Sequence, residues 1–122
     1  MENNNKFLSI LSLCQRAGRL SSGELACEVS IKERNAHLII IAEDATENTK
    51  KKFSNSSKFY NIEMITMFSK AQLGWAIGKD YRAVITINDE GFKNKLLGLI
   101  DDIWKSISGG GPFGKNKSTW NS

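Results

Sequence analysis

Two adjacent carboxylates, Glu43 and Asp44, stand at the end of the apolar run in the stretch LIIIAEDATENTKKK. Paired carboxylates of this kind can perform general acid–base catalysis or bind a divalent cation. Successive side chains of a strand point to opposite faces, so these two would not converge readily on one substrate atom. The sequence also has a single histidine, His37, and no second cluster of His, Cys, Asp or Glu at ligand spacing.

The same two residues suit a structural role at the start of a helix. Asp44 occupies an N-cap position, and Glu47 follows three residues later, which is a carboxylate form of the capping box. The pattern therefore predicts a helix that begins at Asp44 rather than a catalytic or metal site. We expect no enzyme activity and no cofactor, because these residues do not assemble a nucleophile with a general base.

The stretch GWAIGK, residues 74–79, at first suggests a phosphate-binding loop. A Walker A loop has four residues between its glycines and a Ser or Thr after its lysine, and it joins a strand to a helix. Here three residues separate the glycines, Asp80 follows the lysine, and the segment ends a helix before a strand. The sequence therefore does not predict a nucleotide cofactor or nucleotide hydrolysis.

The turn over residues 78–82 places two cations, Lys79 and Arg82, beside the aromatic ring of Tyr81. Loops on a rigid scaffold often carry binding groups, so this turn is a candidate contact for an anionic partner. The alternative is a solvated turn in which Tyr81 folds back onto the core. For the lysine triplet 50–52 a solvated helix face is favoured, because three consecutive helical residues cannot all face one ligand.

The composition is typical of a single globular domain, with 122 residues of which 40% are apolar and 25% charged. Seventeen basic and thirteen acidic residues give a net charge of +4, a bias compatible with a nucleic-acid partner. No apolar run approaches the roughly 20 residues of a membrane span, and the first residues lack a signal-peptide pattern. We expect a cytoplasmic protein without membrane contact, in which Cys14 and Cys27 are buried and reduced.

Apolar periodicity and capping signals divide the first half of the chain into short elements. A helical stripe predicts a helix over residues 5–17 that ends at Gly18, in the manner of a C-cap glycine. RLSSG is long enough only for an edge strand, and Ser21 or Ser22 is predicted to cap a second helix that runs to about Arg34. HLIIIAE is a continuous apolar run, typical of a central strand covered on both faces.

The second half continues the alternation. A helix is predicted after Asp44, a strand in IEMITMF, and a short helix opened by a capping box of Ser69 and Gln72. A strand in RAVITIN and an amphipathic helix from Phe92 to Ile103 follow. This order predicts one α/β sandwich domain over residues 1–107, with a sheet between helix layers, and a flexible glycine-rich tail over residues 108–122.

Four stretches, RAGRLSSGE, LIIIAEDATENTKKK, YNIEMITMFSKAQLGWAIGK and RAVITINDEGF, together resemble the ribosomal L-seven-Ae and L-thirty-e family of kink-turn RNA-binding proteins. The similarity is greatest to its small bacterial branch, the YlxQ-like ribosome-associated proteins, and covers roughly residues 7–104. It implies a three-layer α/β/α sandwich with a four-stranded mixed sheet whose last strand runs against the others. It also implies RNA as the partner, expected to be ribosomal RNA, and association with the ribosome.

In such a fold three loops, residues 21–24, 43–46 and 78–82, would come out at the same end of the sheet. Two of them begin helices, whose free N–H groups suit phosphate oxygens, and Lys79 and Arg82 would add charge for the RNA backbone. The residues expected to form the RNA-binding surface are Arg19, Ser22, Gly23, Glu24, Glu43, Asp44, Lys79, Tyr81 and Arg82.

One run departs from the family pattern. Kink-turn binders of this family carry Gly-Thr-Asn-Glu followed by a Lys three residues on, which reads sheared G·A pairs and holds the backbone. The matching run here is GELA, residues 23–26, then Val29, so the glycine is kept and the amide, the acid and the lysine are absent. Glu24 and Glu28 would also repel phosphate at this helix start.

The resemblance implies a non-enzymatic RNA-binding protein that binds structured, kink-turn-like RNA through the loops at one end of the sheet. The alternative is a protein-interaction module that kept the fold and lost specific kink-turn recognition. Its contact would be the tail with Trp120, or the last helix with Leu99 and Trp104.

Overall fold

The computed structural model describes residues 2–108 and the side chains of residues 4–101. The predicted tail and Trp120 therefore lie outside the described residues, as does the side chain of Trp104. No helix within residues 2–108 is both long and apolar enough to cross a membrane. Helices and strands alternate in the predicted order: α1 (Glu2–Arg16), β1 (Leu20–Ser22), α2 (Glu24–Lys32), β2 (Leu38–Ile41), α3 (Glu47–Tyr60), β3 (Glu63–Thr66), α4 (Lys70–Ala76), β4 (Val84–Ile87) and α5 (Glu90–Ser108).

The four strands form one mixed sheet in the order β1-β4-β2-β3. β4 lies between β1 and β2 and is antiparallel to both, with Leu38 opposite Ile87 and Ile41 opposite Val84, whereas β2 and β3 are parallel. The last strand thus runs against the other three, as the resemblance implied. The ends of β1, β2 and β3 and the start of β4 consequently lie at one end of the sheet, which we call the loop end.

β2 and β4 form the buried centre of the sheet. All four residues of each strand are buried, so helices must cover both faces. α2 and α3 contact each other on one side, and α1 contacts both α4 and α5 on the other. Phe7 and Leu11 of α1, Phe53 of α3 and Leu96 of α5 are fully buried in the resulting core. This is the predicted three-layer α/β/α sandwich.

Both cysteines are buried and free, as predicted. The thiol of Cys14 donates to the Arg19 carbonyl oxygen at 3.1 Å, and that of Cys27 donates to the Ser21 carbonyl oxygen at 3.5 Å. Burial raises the pKa of each thiol from 9.0 to about 12. Because the thiolate is the reactive form, both groups are chemically inert in the folded protein near neutral pH.

The start of α3 differs from its predicted position. Thr46, not Asp44, is the N-cap, and its hydroxyl accepts a hydrogen bond from the Thr49 N–H at 3.2 Å. The reason is a turn after β2, in which the Ala45 N–H donates to the Ala42 carbonyl at 3.1 Å and Ala45 is buried. This turn delays the start of the helix and directs the carboxylate of Asp44 toward α4 instead.

The predicted serine cap of α2 is also wrong, because Gly23 is the N-cap residue. Ser22 instead accepts a hydrogen bond from the Arg82 side chain, and Ser21 accepts one from the Asn88 side chain. Both hydroxyls therefore link β1 to residues next to β4, about 60 positions later in the chain. No side chain caps α2 at Gly23, so its first N–H groups are left to water or to a ligand.

The predicted capping box of α4 is confirmed. The Ser69 hydroxyl accepts from the Gln72 N–H at 3.1 Å, and the Gln72 side chain accepts from the Ser69 N–H at 2.9 Å. The bounds of two other helices shift slightly, since α1 begins at Glu2 rather than at residue 5 and α2 ends at Lys32 rather than near Arg34. Local capping signals are thus reliable where no distant group competes for the side chain.

The corrected cap of α3 can be tested by mutation. Thr46→Ala should lower the free energy of unfolding by about 1 kcal/mol, because the Thr49 N–H loses its acceptor. Thr46→Ser keeps the hydroxyl and should retain most of the stability. Urea denaturation followed by circular dichroism measures both variants, and wild-type stability in Thr46→Ala would contradict the assignment.

Candidate nucleic-acid interface

The first and third of the predicted loops meet directly at the loop end of the sheet. The Arg82 Nε donates to the Ser22 hydroxyl at 3.2 Å, and the Gly23 N–H donates to the Val84 carbonyl at 3.0 Å. The guanidinium also donates from Nη1 to the Tyr81 carbonyl at 2.8 Å. Arg82 is therefore held in one orientation by two of its five N–H donors, and the others remain available for a ligand.

The second loop is joined to the third through the backbone of Lys70. The Lys70 N–H donates to the Asp44 carboxylate at 2.8 Å, while the Lys70 carbonyl accepts from the Arg82 N–H at 3.1 Å. The Glu43 N–H donates to the Phe68 carbonyl at 2.7 Å and ties the same loop to the segment before α4. Residues 21–24, 43–46 and 78–82 thus form one continuous surface, which we call the three-loop surface.

Gly74 allows the third loop to lie directly on α4. A Cβ atom at this position would stand 1.9 Å from the Asp80 carbonyl oxygen, which no side chain can accommodate without movement of the backbone. The Lys79 N–H donates to the Gly74 carbonyl at 2.8 Å across the same contact. Tyr81 is 67% exposed, so the predicted alternative in which it folds back onto the core is wrong.

Gly23 begins α2 in a conformation that other residues rarely adopt. Its φ of 88° and ψ of 156° lie in a region that is essentially restricted to glycine. Because Gly23 has no side chain to act as a cap, the first N–H groups of α2 are available to an anionic ligand. The backbone conformation at this position therefore requires the glycine that the family carries. The next two positions, Glu24 and Leu25, differ from the family pattern in their side chains.

The two glutamates near this helix start are paired rather than free. Lys52 of α3 reaches the Glu28 carboxylate at 2.8 Å and the Glu24 carboxylate at 3.4 Å, and the Thr49 hydroxyl donates to Glu24 at 2.9 Å. Hydrogen bonding to Glu28, and to a smaller extent to Glu24, raises the pKa of the Lys52 ammonium. Lys51 is exposed, in agreement with the predicted solvated helix face. Lys52 has a different role, because its ion pairs offset the negative charge of the two glutamates beside Gly23.

The structure brings most of the predicted site residues together and separates one. Arg19 lies at the opposite end of β1, where its carbonyl accepts from the Asn88 N–H at 2.8 Å. Glu43 and Asp44 lie in an exposed turn instead of a closed pocket. Among the described side chains, those of residues 4–101, no three of His, Cys, Asp or Glu are placed to hold a metal ion. The predicted residues that share the three-loop surface are Ser22, Gly23, Glu24, Glu43, Asp44, Lys79, Tyr81 and Arg82.

Exposed apolar side chains next to this surface were not included among the predicted site residues. Leu25 and Val29 of α2 are 79% and 46% exposed, and Trp75 of α4 is 76% exposed. The departure from the family pattern at residues 23–26 and at Val29 was the signal for Leu25 and Val29. In GWAIGK only the glycines and the lysine were considered as site residues. Trp75 was missed, although large aromatic side chains are rarely exposed to this extent.

The close contact at Gly74 leads to a paired test. Gly74→Ala should lower the free energy of unfolding by about 1–3 kcal/mol, because the added methyl group collides with the Asp80 carbonyl. Gly98→Ala is the matched control, since Gly98 lies in α5 and no described atom outside the adjoining backbone of that helix lies within 4 Å of the added methyl group. Alanine has the higher helix propensity, so this control should be neutral or stabilising. Equal effects of the two substitutions in urea denaturation would contradict the packing described here.

The chain matches one protein family and two similar bacterial proteins that share a name. Residues 5–97 match the family described as ribosomal protein L7Ae/L30e/S12e/Gadd45. The RNA-binding protein YlxQ of Bacillus subtilis (strain 168) is 36% identical over 96 residues, which span 79% of this chain and 96% of that protein. The RNA-binding protein YlxQ of Enterococcus faecium is 37% identical over 99 residues, or 81% of this chain and 95% of that protein.

Solved structures share the fold. A protein of unknown function from Bacillus halodurans superposes with a TM-score of 0.75 at 38% identity, over 79% of this chain and 97% of that one. The 15.5kD RNA binding protein of Giardia lamblia has a TM-score of 0.67 over 82% of this chain and 86% of its own, and at 17% identity it supports the fold alone. The family match and the two YlxQ relatives confirm the resemblance noted in the sequence, and the chain belongs to the ribosomal protein L7Ae/L30e/S12e/Gadd45 family.

Proposed function

We propose that this protein is a non-enzymatic, cytoplasmic RNA-binding protein that contacts ribosomal RNA through the three-loop surface. The observation that carries the proposal is the hydrogen-bonded convergence of three distant loops, which brings Arg82 beside the uncapped start of α2 and Lys79 onto the same surface. The YlxQ relatives, which are named as RNA-binding proteins, support the same assignment. Association with the ribosome follows from ribosomal RNA as the partner.

Phosphate groups are the first contact that this surface suits. Lys79 is exposed and supplies a mobile ammonium, whereas Arg82 supplies a guanidinium already oriented by Ser22 and by the Tyr81 carbonyl. The free N–H groups after Gly23 add donors at the positive end of the α2 dipole. Contacts of this kind fix the register of the RNA backbone without reading its sequence.

The RNA that fits this surface has a kinked backbone with unstacked bases. Tyr81 is exposed beside the two cations, so its ring is free to stack on a base that has left the helix. At the start of α2, exposed Leu25 offers apolar contact in place of an amide that reads sheared G·A pairs. We therefore propose structured, kink-turn-like RNA as the ligand, bound by its backbone shape more than by its base pairs.

A double substitution tests the proposed phosphate contacts. Lys79→Ala combined with Arg82→Ala should weaken binding to ribosomal RNA fragments in filter-binding assays, because two phosphate contacts are lost. The slope of log K against log salt should become shallower by about 0.7–0.9 for each contact. The single variant Lys79→Ala removes no hydrogen bond of the fold and separates lost binding from lost folding.

Lys95→Ala is the charge-matched control for the single variant Lys79→Ala, because Lys95 is exposed on α5 away from the three loops. This control should bind RNA with the wild-type affinity and the wild-type salt slope. Binding that is insensitive to salt, or that survives the double substitution unchanged, would refute the proposed function.

Lys52 gives a second electrostatic test. Lys52→Ala should weaken RNA binding, because the carboxylates of Glu24 and Glu28 then lie uncompensated beside the start of α2. Lys51→Ala removes the same charge from the next position and should have the smaller effect. In a Glu24→Gln, Glu28→Gln background the loss caused by Lys52→Ala should largely disappear. Equal losses with and without the two glutamates would show that Lys52 contacts RNA directly.

A protein-interaction module is the second candidate function, and the exposure of Leu25 and Val29 is the observation that favours it. Apolar side chains one helical turn apart on α2 are typical of a protein contact. Co-sedimentation with ribosomes before and after nuclease treatment distinguishes the two functions. A protein held by RNA is released by digestion, whereas one held by a protein partner stays bound.

A further inference from the structure

A groove between α1 and α4 shares no lining residue with the three loops. It encloses ≈ 460 Å³ and is lined by Asn5, Leu8, Ser9, Ser12, Trp75 and Ala76. The indole of Trp75 forms one wall and is 76% exposed. An aromatic side chain of this size contributes most when it is covered, so its exposure beside a groove indicates a surface that a ligand covers.

Trp75 of the groove is the chain neighbour of Gly74, where α4 contacts the third loop. The Tyr81 nitrogen lies 3.1 Å from the position of a Cβ atom on Gly74, and Trp75 is the next residue along the helix. The Gly78 N–H donates to the Trp75 carbonyl at 3.2 Å, so the turn with Lys79 folds back on the same helical turn. Two exposed aromatic residues, Trp75 and Tyr81, therefore flank one rigid contact.

The chemistry of the lining suits a nucleotide. The six described residues that line the groove are all uncharged, so none of these side chains repels a ribose-phosphate chain. Asn5, Ser9 and Ser12 offer an amide and hydroxyl groups, which can bond to base edges and to a ribose 2′-hydroxyl. Exposed Lys6 of α1 adds a cation on the same helix. An exposed indole is a platform on which single-stranded bases stack.

We propose that this groove is a second RNA subsite, in which Trp75 stacks on an unpaired base of the strand that leaves the three-loop surface. The inference rests on the proposed function and extends it from the loops to the α1–α4 side of the molecule. It assigns Trp75 the role of stacking platform, and Asn5, Ser9 and Ser12 the role of polar contacts to the same nucleotide.

The test uses two RNA probes and one substitution. The first probe is the shortest ribosomal RNA fragment that the wild-type protein retains on filters, and the second is that fragment with an oligo(A) extension at either end. Trp75→Ala should lower the affinity for the extended probe by about ten-fold, because one base–aromatic stack is lost. Its affinity for the short probe should equal that of the wild type.

Phe59→Ala is the matched control. Phe59 is 79% exposed on α3, in the other helix layer, so it removes a similarly exposed aromatic ring from outside the groove. It should bind both probes with wild-type affinity. A loss of affinity as large as that of Trp75→Ala would mean that the effect does not belong to the groove.

A fluorescence measurement makes the contact direct. The extended RNA should quench part of the tryptophan emission of the wild type, since a stacked adenine quenches an indole. Trp75→Phe keeps a ring that can stack and should retain most of the affinity while losing that part of the quench. This variant also keeps the test valid if Trp75→Ala folds poorly in circular dichroism.

The outcomes separate the two proposals. In one outcome, substitution of Lys79 and Arg82 abolishes RNA binding, whereas substitution of Trp75 leaves both the binding and the fluorescence quench unchanged. This result overturns the proposed RNA subsite in the groove and leaves the proposed function intact. Failure of the wild type to bind any ribosomal RNA fragment overturns both. A change in sedimentation of Trp75→Ala without a change in RNA affinity would identify the groove as a contact between copies of the chain, which also overturns the RNA subsite.

Discussion

The antiparallel pairing of β4 with β2 fixes the positions of the three loops on which the proposed function depends. Val84 stands opposite Ile41, and the ladder continues past the strands because the Ala42 N–H donates to the Ala83 carbonyl at 2.9 Å. β1 pairs with the other edge of β4, so Ser22 arrives at the same end. Burial of both central strands on both faces makes a slip in register costly, since it would expose apolar side chains. The location of the surface is therefore a property of the core.

Local patterns in the sequence were sufficient to predict the helices and strands and their order along the chain. The apolar run before Glu43 and the box of Ser69 with Gln72 carry their own signals, because the groups that interact are adjacent in the chain. The cap at Asp44 was misplaced because its partner, the Lys70 N–H, lies 26 residues away. The packing role of Gly74 could not be predicted either, since nothing near it in the sequence identifies the Asp80 carbonyl as its neighbour.

Only part of the site could be predicted from the sequence, because some of its contacts join residues that are far apart in the chain. Lys79, Tyr81 and Arg82 form one loop, and a loop with cations and an aromatic ring is recognisable without tertiary contacts. Arg19 was predicted with them, although it precedes β1 and the three residues of that strand separate it from the loop end. The pairing of Lys52 with two glutamates depends on the packing of α2 against α3, which a helical pattern does not specify.

The backbone of Lys70 has a consequence for how an RNA ligand is received. Its N–H holds the second loop and its carbonyl holds the third, so neither loop moves without disturbing the backbone of the same residue. The surface is consequently ordered before a ligand arrives, and little conformational entropy is lost on binding. A preorganised surface also selects among partners, because an RNA whose backbone does not already bend to match must supply the deformation energy itself.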